Sequence, residues 1–179
     1  MSLAHGAAVA VEYRLNGRKF RIDFMISGLD ERDKESLVIV ELKQWSDIQF
    51  SEMADHVKTF VGGALRDERH PSYQAWSYES HLRQFNEYVY SNGLEVNSCA
   101  YLHNCDTGRV IRDPRYSSEL NKAPIFIKGE LAGLRELIKT KIRTGAGPEA
   151  LKRIDASPIR PSKQLAETVG SMLSGNEEF

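Results

Sequence analysis

Cysteine is nearly absent: Cys99 and Cys105 are the only two in 179 residues, with no CxxC and no Cys/His ligand set. This excludes a disulfide framework and a zinc site, and leaves both as ordinary buried or loop thiols. No apolar run approaches the ~20 residues of a membrane span. The stretch from Met1 to Ala10 lacks the charged region and long apolar core of a signal peptide. A cytoplasmic protein with no membrane partner is expected. No Gly-Lys-Ser/Thr follows a glycine-rich loop, so this chain is not expected to be an ATPase itself. Thr144-Gly145-Ala146-Gly147-Pro148 reads instead as a helix stop followed by a proline at the next helix start. A strong charge bias is missing too, since the formal net charge of −1 argues neither for nor against a nucleic-acid partner.

What is present fits one domain with a substantial core and an appendage: 41% hydrophobic and 27% charged residues describe an ordinary soluble chain. Its most informative stretch runs from Arg18 to Trp45. Phe20, Ile22 and Phe24 alternate with Arg21, Asp23 and Met25, and Leu37 to Leu42 is almost wholly apolar and rich in β-branched residues. Two strands joined by the polar segment Gly28 to Ser36 are expected. A turn centred near Arg32 sets Asp23 opposite Glu41 and Met25 opposite Ile39.

Two carboxylates then meet on one face, which is unfavourable unless a positive charge lies between them. Alternation places Glu41 and Lys43 on the same face and points Leu42 into the core. Asp23, Glu41 and the Leu42 carbonyl, with water filling the remaining positions, describe a hard-oxygen site for Mg²⁺ or Mn²⁺ of the kind that works on phosphates. Lys43 can then orient or deprotonate the attacking water.

Val9 to Leu15 alternates and is expected as a strand before an Asn16-Gly17 turn, with Glu12 directed toward the site or away from it. Trp45 to Pro71 fits either a short strand at Val57, Thr59 and Val61, ending at Gly62-Gly63, or a helix face. The strand is the preferred reading. From His70 to Tyr90, Pro71 and Ser72 open a helix on which Ala75, Tyr78, Leu82, Phe85 and Val89 recur at helical spacing. Gln74 and Tyr78 share one face of it. Strands follow at Glu95 to Leu102 and Ala123 to Ile127. Next come an amphipathic helix through Leu131, Leu134, Leu137, Ile138 and Ile142, a proline-containing linker from Ser157 to Lys163, and a last helix from Gln164 to Leu173. His56, His70, His103 and Asp106 are read as surface, core or loop residues, not as ligands. Between Lys139 and Lys163, seven basic residues face two acidic ones. Such a cluster can hold phosphates, although a charge run is more often a solvated face.

Asp23, Glu41-Leu42-Lys43 and Gln74-x-x-x-Tyr78, in that order, resemble the PD-(D/E)XK nuclease superfamily and its RecB-like and lambda-exonuclease-like branch. Further, ELKQW, VGGALR, HPSYQAWSY and RPSKQLAETVGSMLSGNEEF are similar to the N-terminal module of bacterial Schlafen-related proteins, in which a nuclease-like domain precedes a helicase-like ATPase. The resemblance spans nearly the whole chain. It implies an α/β (α+β) restriction-endonuclease-like core, a central mixed β-sheet flanked by helices. Strand, strand, strand, helix, strand matches that core apart from its first helix, which the chain begins too late to contain. Glu12 is a weak substitute for the acidic residue that helix supplies. Residues 1–145 are expected as the nuclease-like domain and 146–179 as a helical extension toward the ATPase.

The implied catalytic set is Asp23, Glu41, Lys43, Gln74 and Tyr78, with Asp23, Glu41 and the Leu42 carbonyl on the metal. The resemblance gives Gln74 and Tyr78 the role of lining the site and positioning DNA or the catalytic residues. Arg18, Lys19, Arg21 and Arg66 are expected to hold flanking phosphates. The expected substrate is DNA, with RNA an alternative and endonuclease or exonuclease action open. The other functional reading is a non-catalytic nucleic-acid-binding or interaction module of the same fold.

Overall fold

The computed structural model describes residues 6–14 and 21–159. The Asn16-Gly17 turn, Arg18, Lys19 and the last expected helix lie outside them. The Ser157 to Lys163 linker lies inside only as far as Ile159.

The chain opens with an antiparallel meander of β1 (Ala8–Arg14), β2 (Arg21–Leu29) and β3 (Glu35–Lys43). The β2–β3 turn is fixed locally: the Asp30 carboxylate accepts the amides of Arg32 at 2.8 Å and Lys34 at 2.9 Å, an Asx arrangement that replaces missing ladder bonds. The register is the expected one, with Met25 facing Ile39 and Phe24 facing Val40. β7 (Glu95–Leu102) lies parallel to β3, and β8 (Ile125–Ile127) parallel to β7, giving a mixed five-stranded sheet of order β1-β2-β3-β7-β8. Burial on both faces explains the continuous apolar run of β3, as in other central parallel strands.

Between β3 and β7 come β4 (Ile48–Phe50), β5 (His56–Val61) and β6 (Ala64–Arg69), a separate three-stranded antiparallel sheet. The strand expected around Val57 to Val61 is β5, and the helical alternative for Trp45 to Pro71 does not form. Gly62 and Gly63, at φ +60° and +82°, close the β5–β6 hairpin, a two-residue turn that needs left-handed backbone at both positions. Helix α1 (Pro71–Phe85) follows. The expected helix to Tyr90 is broken at Asn86, whose backbone is extended (φ −84°, ψ 116°) and whose side chain caps α2 (Glu87–Ser91) through the Val89 amide. A short helix, α3 (Ser117–Leu120), precedes β8, and α4 (Leu131–Lys141) and α5 (Gly147–Ala156) follow it.

One sheet face packs Met25, Leu37, Ile39 and Val96 against Tyr78 and Leu82 of α1, Val89 of α2 and Ile154 of α5. The opposite face packs Ile26, Val38, Val40 and Cys99 under Leu134 and Ile138 of α4. A third cluster joins Trp45 and Val57 to Ala100, Leu102 and Tyr116, tying the small sheet to the ends of β7 and β8. Cys99 and Cys105 are both buried free thiols. Among the described residues, no helix is long and apolar enough to cross a membrane.

His70 is a core residue. It is fully buried, its Nε2 donates to the Ile111 carbonyl at 2.9 Å, and its Nδ1 accepts the Ser72 amide at 3.3 Å as the cap of α1. Burial pushes its pKa down, in keeping with a neutral ring held by those two bonds.

Helix α5 meets the sheet edge through a glycine. A Cβ on Gly147 would lie 2.2 Å from the Ala8 nitrogen and 2.3 Å from the Ser27 carbonyl oxygen, and neither backbone atom can rotate away. Gly147→Ala should therefore cost about 3 kcal/mol, at the upper end for overpacking, and lower the thermal midpoint by roughly 6–12 °C for a domain of this size. Gly63→Ala, with no atom within 4 Å of the new Cβ, should lose only the left-handed strain of about 1 kcal/mol. Parallel thermal melts of the two variants check this.

Candidate functional site

The candidate site lies where β2 stops pairing with β3. The ladder ends at Phe24 and Val40, and on the other side of β2 the β1 pairing skips from Val11–Phe24 to Tyr13–Ile22. Glu12, in the gap, has a left-handed backbone at φ 50°. Asp23 is thus left out of both ladders, and its side chain does what a neighbouring strand would have done. Its Oδ2 accepts the Leu42 amide at 3.1 Å.

That bond also orients Leu42. In an extended strand the N–H and C=O of one residue point to the same side and alternate along the chain. The Lys43 carbonyl accepts the His103 amide on the β7 side at 3.2 Å, so both backbone groups of Leu42 face the β2 side, toward Asp23. The Leu42 side chain is 38% exposed, which corrects the expectation that it enters the core. The cluster under α4 takes Val38 and Val40 and stops short of position 42, so alternation set its face correctly but not its cover.

Glu41 lies two residues beyond Ile39 on the opposite, α1-covered face and is 2% exposed. Its Oε1 accepts from Lys43 Nζ at 2.8 Å. Its Oε2 is buried and accepts no hydrogen bond among the described residues. Burial raises the Glu41 pKa, Lys43 pulls it back through charge and hydrogen bond, and Asp23 adds to the rise. An unmatched buried carboxylate oxygen costs well over the ~1–3 kcal/mol of a neutral group, a cost that a proton or a cation at Oε2 would relieve. Lys43 itself is held from behind, its Nζ 5.1 Å from the centroid of the buried Trp45 ring.

Helix α1 brings the remaining pair. Gln74 Nε2 donates to the Tyr78 hydroxyl at 3.0 Å, and Tyr78 is itself buried. Burial raises the Tyr78 pKa, the Gln74 bond lowers it, and the negative charges of Glu41 and Asp23 raise it further. Asp23, Glu41, Lys43, Gln74 and Tyr78 therefore form one electrostatic neighbourhood. Arg21 adjoins it, with Nη1 3.4 Å from Glu12 and Nη2 3.7 Å from Asp23. Glu12 thus reaches Asp23 only through this guanidinium.

The other expected contacts divide. Arg66 is exposed on β6 opposite Thr59, in the small sheet. The basic run of the C-terminal part is largely answered within the fold: Lys139 pairs with Glu136, Lys141 with Glu95, Lys152 with Glu149 and Arg153 with Glu35. It is mostly a solvated face. His103 and Asp106 lie on a loop, and Asp106 pairs with Lys128. Among the described residues, no group of three or more His, Cys, Asp or Glu side chains is placed to hold a metal, so any cation here would rest on Asp23, Glu41, backbone oxygen and water.

Protein-family models, curated proteins and solved structures yield no match to this chain. Sequence reasoning missed the role of Trp45 behind Lys43 and the aromatic and cationic group Arg69, Tyr73, Trp76 and Lys122 beside α1. For Trp45 a signal existed, because positions 41, 43 and 45 share a face at strand period.

The raised pKa of Glu41 has a defined sign. The folded state keeps its proton to higher pH than the unfolded chain, so stability falls as pH rises from the ordinary carboxylate range through the folded pKa, and then levels off. Glu41→Gln should remove that fall. Urea titrations across pH should show the variant gaining stability relative to wild type through this window, whereas a constant difference would mean that Glu41 is not the group responsible.

Proposed function

We propose that this chain is a metal-dependent nuclease domain of the PD-(D/E)XK type that hydrolyses phosphodiester bonds in DNA. The observation that carries the reading is the buried Glu41 carboxylate with one unpartnered oxygen, set beside Asp23 and Lys43. Support comes from the chain order of three strands, helix and strand around the mixed sheet, and from the Gln74–Tyr78 pair beside both carboxylates.

The donor set suits a hard divalent cation. Asp23 Oδ1, Glu41 Oε2 and the Leu42 carbonyl are the oxygens that would hold Mg²⁺ or Mn²⁺, and water would complete the shell. When bound, such an ion supplies Lewis acidity at a phosphoryl oxygen and a bound water of lowered pKa. The remaining work falls to the protein. Lys43, an ammonium beside Glu41, donates toward the attacking water or a non-bridging oxygen and offsets the negative charge that builds there. Its contacts with Glu41 and Trp45 fix its position before substrate arrives. Gln74 holds the Tyr78 hydroxyl, and the pair forms the wall of the site on the α1 side. Arg21 stands at the rim, half exposed, where a flanking phosphate can draw it from Glu12. Activity on DNA as the N-terminal module of a larger protein with a helicase-like ATPase belongs to the same proposal.

One observation favours a second reading, a non-catalytic nucleic-acid-binding module: only two carboxylates meet at the site among the described residues. Cleavage assays separate the two. Labelled linear and circular DNA, single- and double-stranded, would be incubated with Mn²⁺ or Mg²⁺ beside EDTA and Lys43→Ala controls. Cleavage that EDTA abolishes and Lys43→Ala reduces by at least ~100-fold, the scale of a lost oxyanion donor, is the expected result. Absence of metal-dependent cutting, with DNA affinity retained in Lys43→Ala, would make the binding module the better account.

A further inference from the structure

We propose that the cleft along α1 is the path of a single-stranded polynucleotide, with Lys122 and Arg69 as phosphate contacts and Tyr73 and Trp76 as the aromatic platform. The proposal rests on the nuclease reading and assigns its substrate class.

The cleft, of about 530 Å³, runs from Arg69 at the end of β6 along Tyr73, Ser77 and His81 to Gln74 and Tyr78. Residues 73, 77 and 81 form one row at four-residue spacing, and 74 and 78 form the next, so adjacent stripes of one helix make the wall. The second stripe is the one that reaches the carboxylates. A strand following the cleft is therefore led from the small sheet to Gln74 and Tyr78, the pair beside the carboxylates.

Arg69 and Tyr73 line the cleft, and Lys122 and Trp76 adjoin it through the Tyr73 ring. Lys122 Nζ lies 4.9 Å from the Tyr73 ring centroid and 4.8 Å from that of Trp76, and the Arg69 guanidinium is 4.8 Å from Tyr73. Tyr73 and Trp76 are themselves adjacent, with centroids 5.5 Å apart. Lys122 has no carboxylate within salt-bridge distance among the described residues, whereas Arg69 touches Asp55 only at 3.6 Å. A lysine held by two rings and answered by no acid has lost part of its side-chain freedom while keeping its charge. That is a preorganised phosphate contact.

The rings indicate the kind of strand. A duplex presents phosphates outward and stacks its bases on one another, so the half-buried Tyr73 and Trp76 rings would gain no stacking partner from it. A single strand offers both groups: a phosphate to draw each cation off its ring, and a base to take the ring face. Glu68, the only carboxylate lining the cleft among the described residues, marks a position where a phosphate does not sit.

The test is fluorescence anisotropy of a labelled oligo-dT of about a dozen nucleotides, within the usual site-size range. A matched duplex serves as competitor, and EDTA prevents cleavage. Wild type should bind the single strand more tightly than the duplex. Tyr73→Leu should weaken single-strand binding about ten-fold, the lower part of the range for one stacked base. Lys122→Gln should also weaken it and reduce the slope of log K against log salt by about 0.7, the value for one phosphate contact on a single strand. If Lys122→Gln lowers the thermal midpoint but leaves affinity and slope unchanged, Lys122 is a packing residue and the proposal fails. Equal affinity for duplex, with Tyr73→Leu silent, would overturn the single-strand assignment. The nuclease reading fails separately. Wild-type strand binding that depends on Tyr73, without any cleavage in Mn²⁺ or Mg²⁺, refutes catalysis and leaves the path standing.

Discussion

Glu41 is a carboxylate almost removed from water, and much of the surrounding architecture is what makes that tolerable. A buried charge with no partner would protonate or disrupt the fold. Lys43 answers it from the same strand face, one pleat away, and Trp45 holds Lys43 from the next position. Helix α1 closes the site from above and contributes Tyr78, which is polar where it meets the carboxylates and apolar where it joins Leu37, Ile39 and Leu82. Removing one member of a buried ion pair commonly costs 3–5 kcal/mol, so the pair is a structural commitment as much as a chemical one. Its unfinished part, Glu41 Oε2, is the feature that packing alone does not explain.

The interruption of the sheet at Asp23 has the same logic. Had β2 and β3 stayed paired, the backbone of Leu42 would have been consumed by the ladder. Instead the ladder ends at Phe24, and Asp23 satisfies the Leu42 amide with a side chain. The carbonyl of Leu42 is left on the open side beside two carboxylates. Glu12 carries left-handed backbone at the matching point of β1, and Arg21 spans Glu12 and Asp23. Strain and unpaired backbone collect at one place in an otherwise regular meander, as they do where a site has been cut into a sheet.

The β2–β3 hairpin was legible because its signals agree: alternation on β2, an apolar run on β3, and a polar turn whose centre fixes the register. Asp23, Glu41 and Lys43 could be brought together from the sequence for that reason, whereas Gln74 and Tyr78 were joined to them only by the resemblance. Leu42 was misplaced because alternation gives the face of a strand and not what covers it. The break at Asn86 was hidden because the apolar stripe continues to Val89 across it, even though an Asn capping the next turn was in plain view. β4 and β6 carry mostly exposed residues and leave little hydrophobic pattern to read. His70 shows no sequence sign of its role, since its partner Ile111 lies 41 positions away. The cluster around Lys122 is equally non-local, joining β6, α1 and the loop before β8.

The balance of charge bears on how such a protein meets a polyanion. With a formal net charge of −1 there is no long-range field to concentrate nucleic acid, and the basic residues between Lys139 and Arg153 are mostly spent on Glu136, Glu95, Glu149 and Glu35. On the proposed reading, recognition would come from cations whose local partners are weak. An exposed ion pair is worth at most ~1 kcal/mol and is readily exchanged, but exchange returns only the difference between two partners. A cation resting on aromatic rings is different, because phosphate replaces no carboxylate and the vacated ring face is offered to a base. On the proposed reading, a few such positions in a nearly neutral domain are a more economical route to a nucleic-acid strand than a broadly basic surface, and they would direct binding to the cleft beside Tyr78.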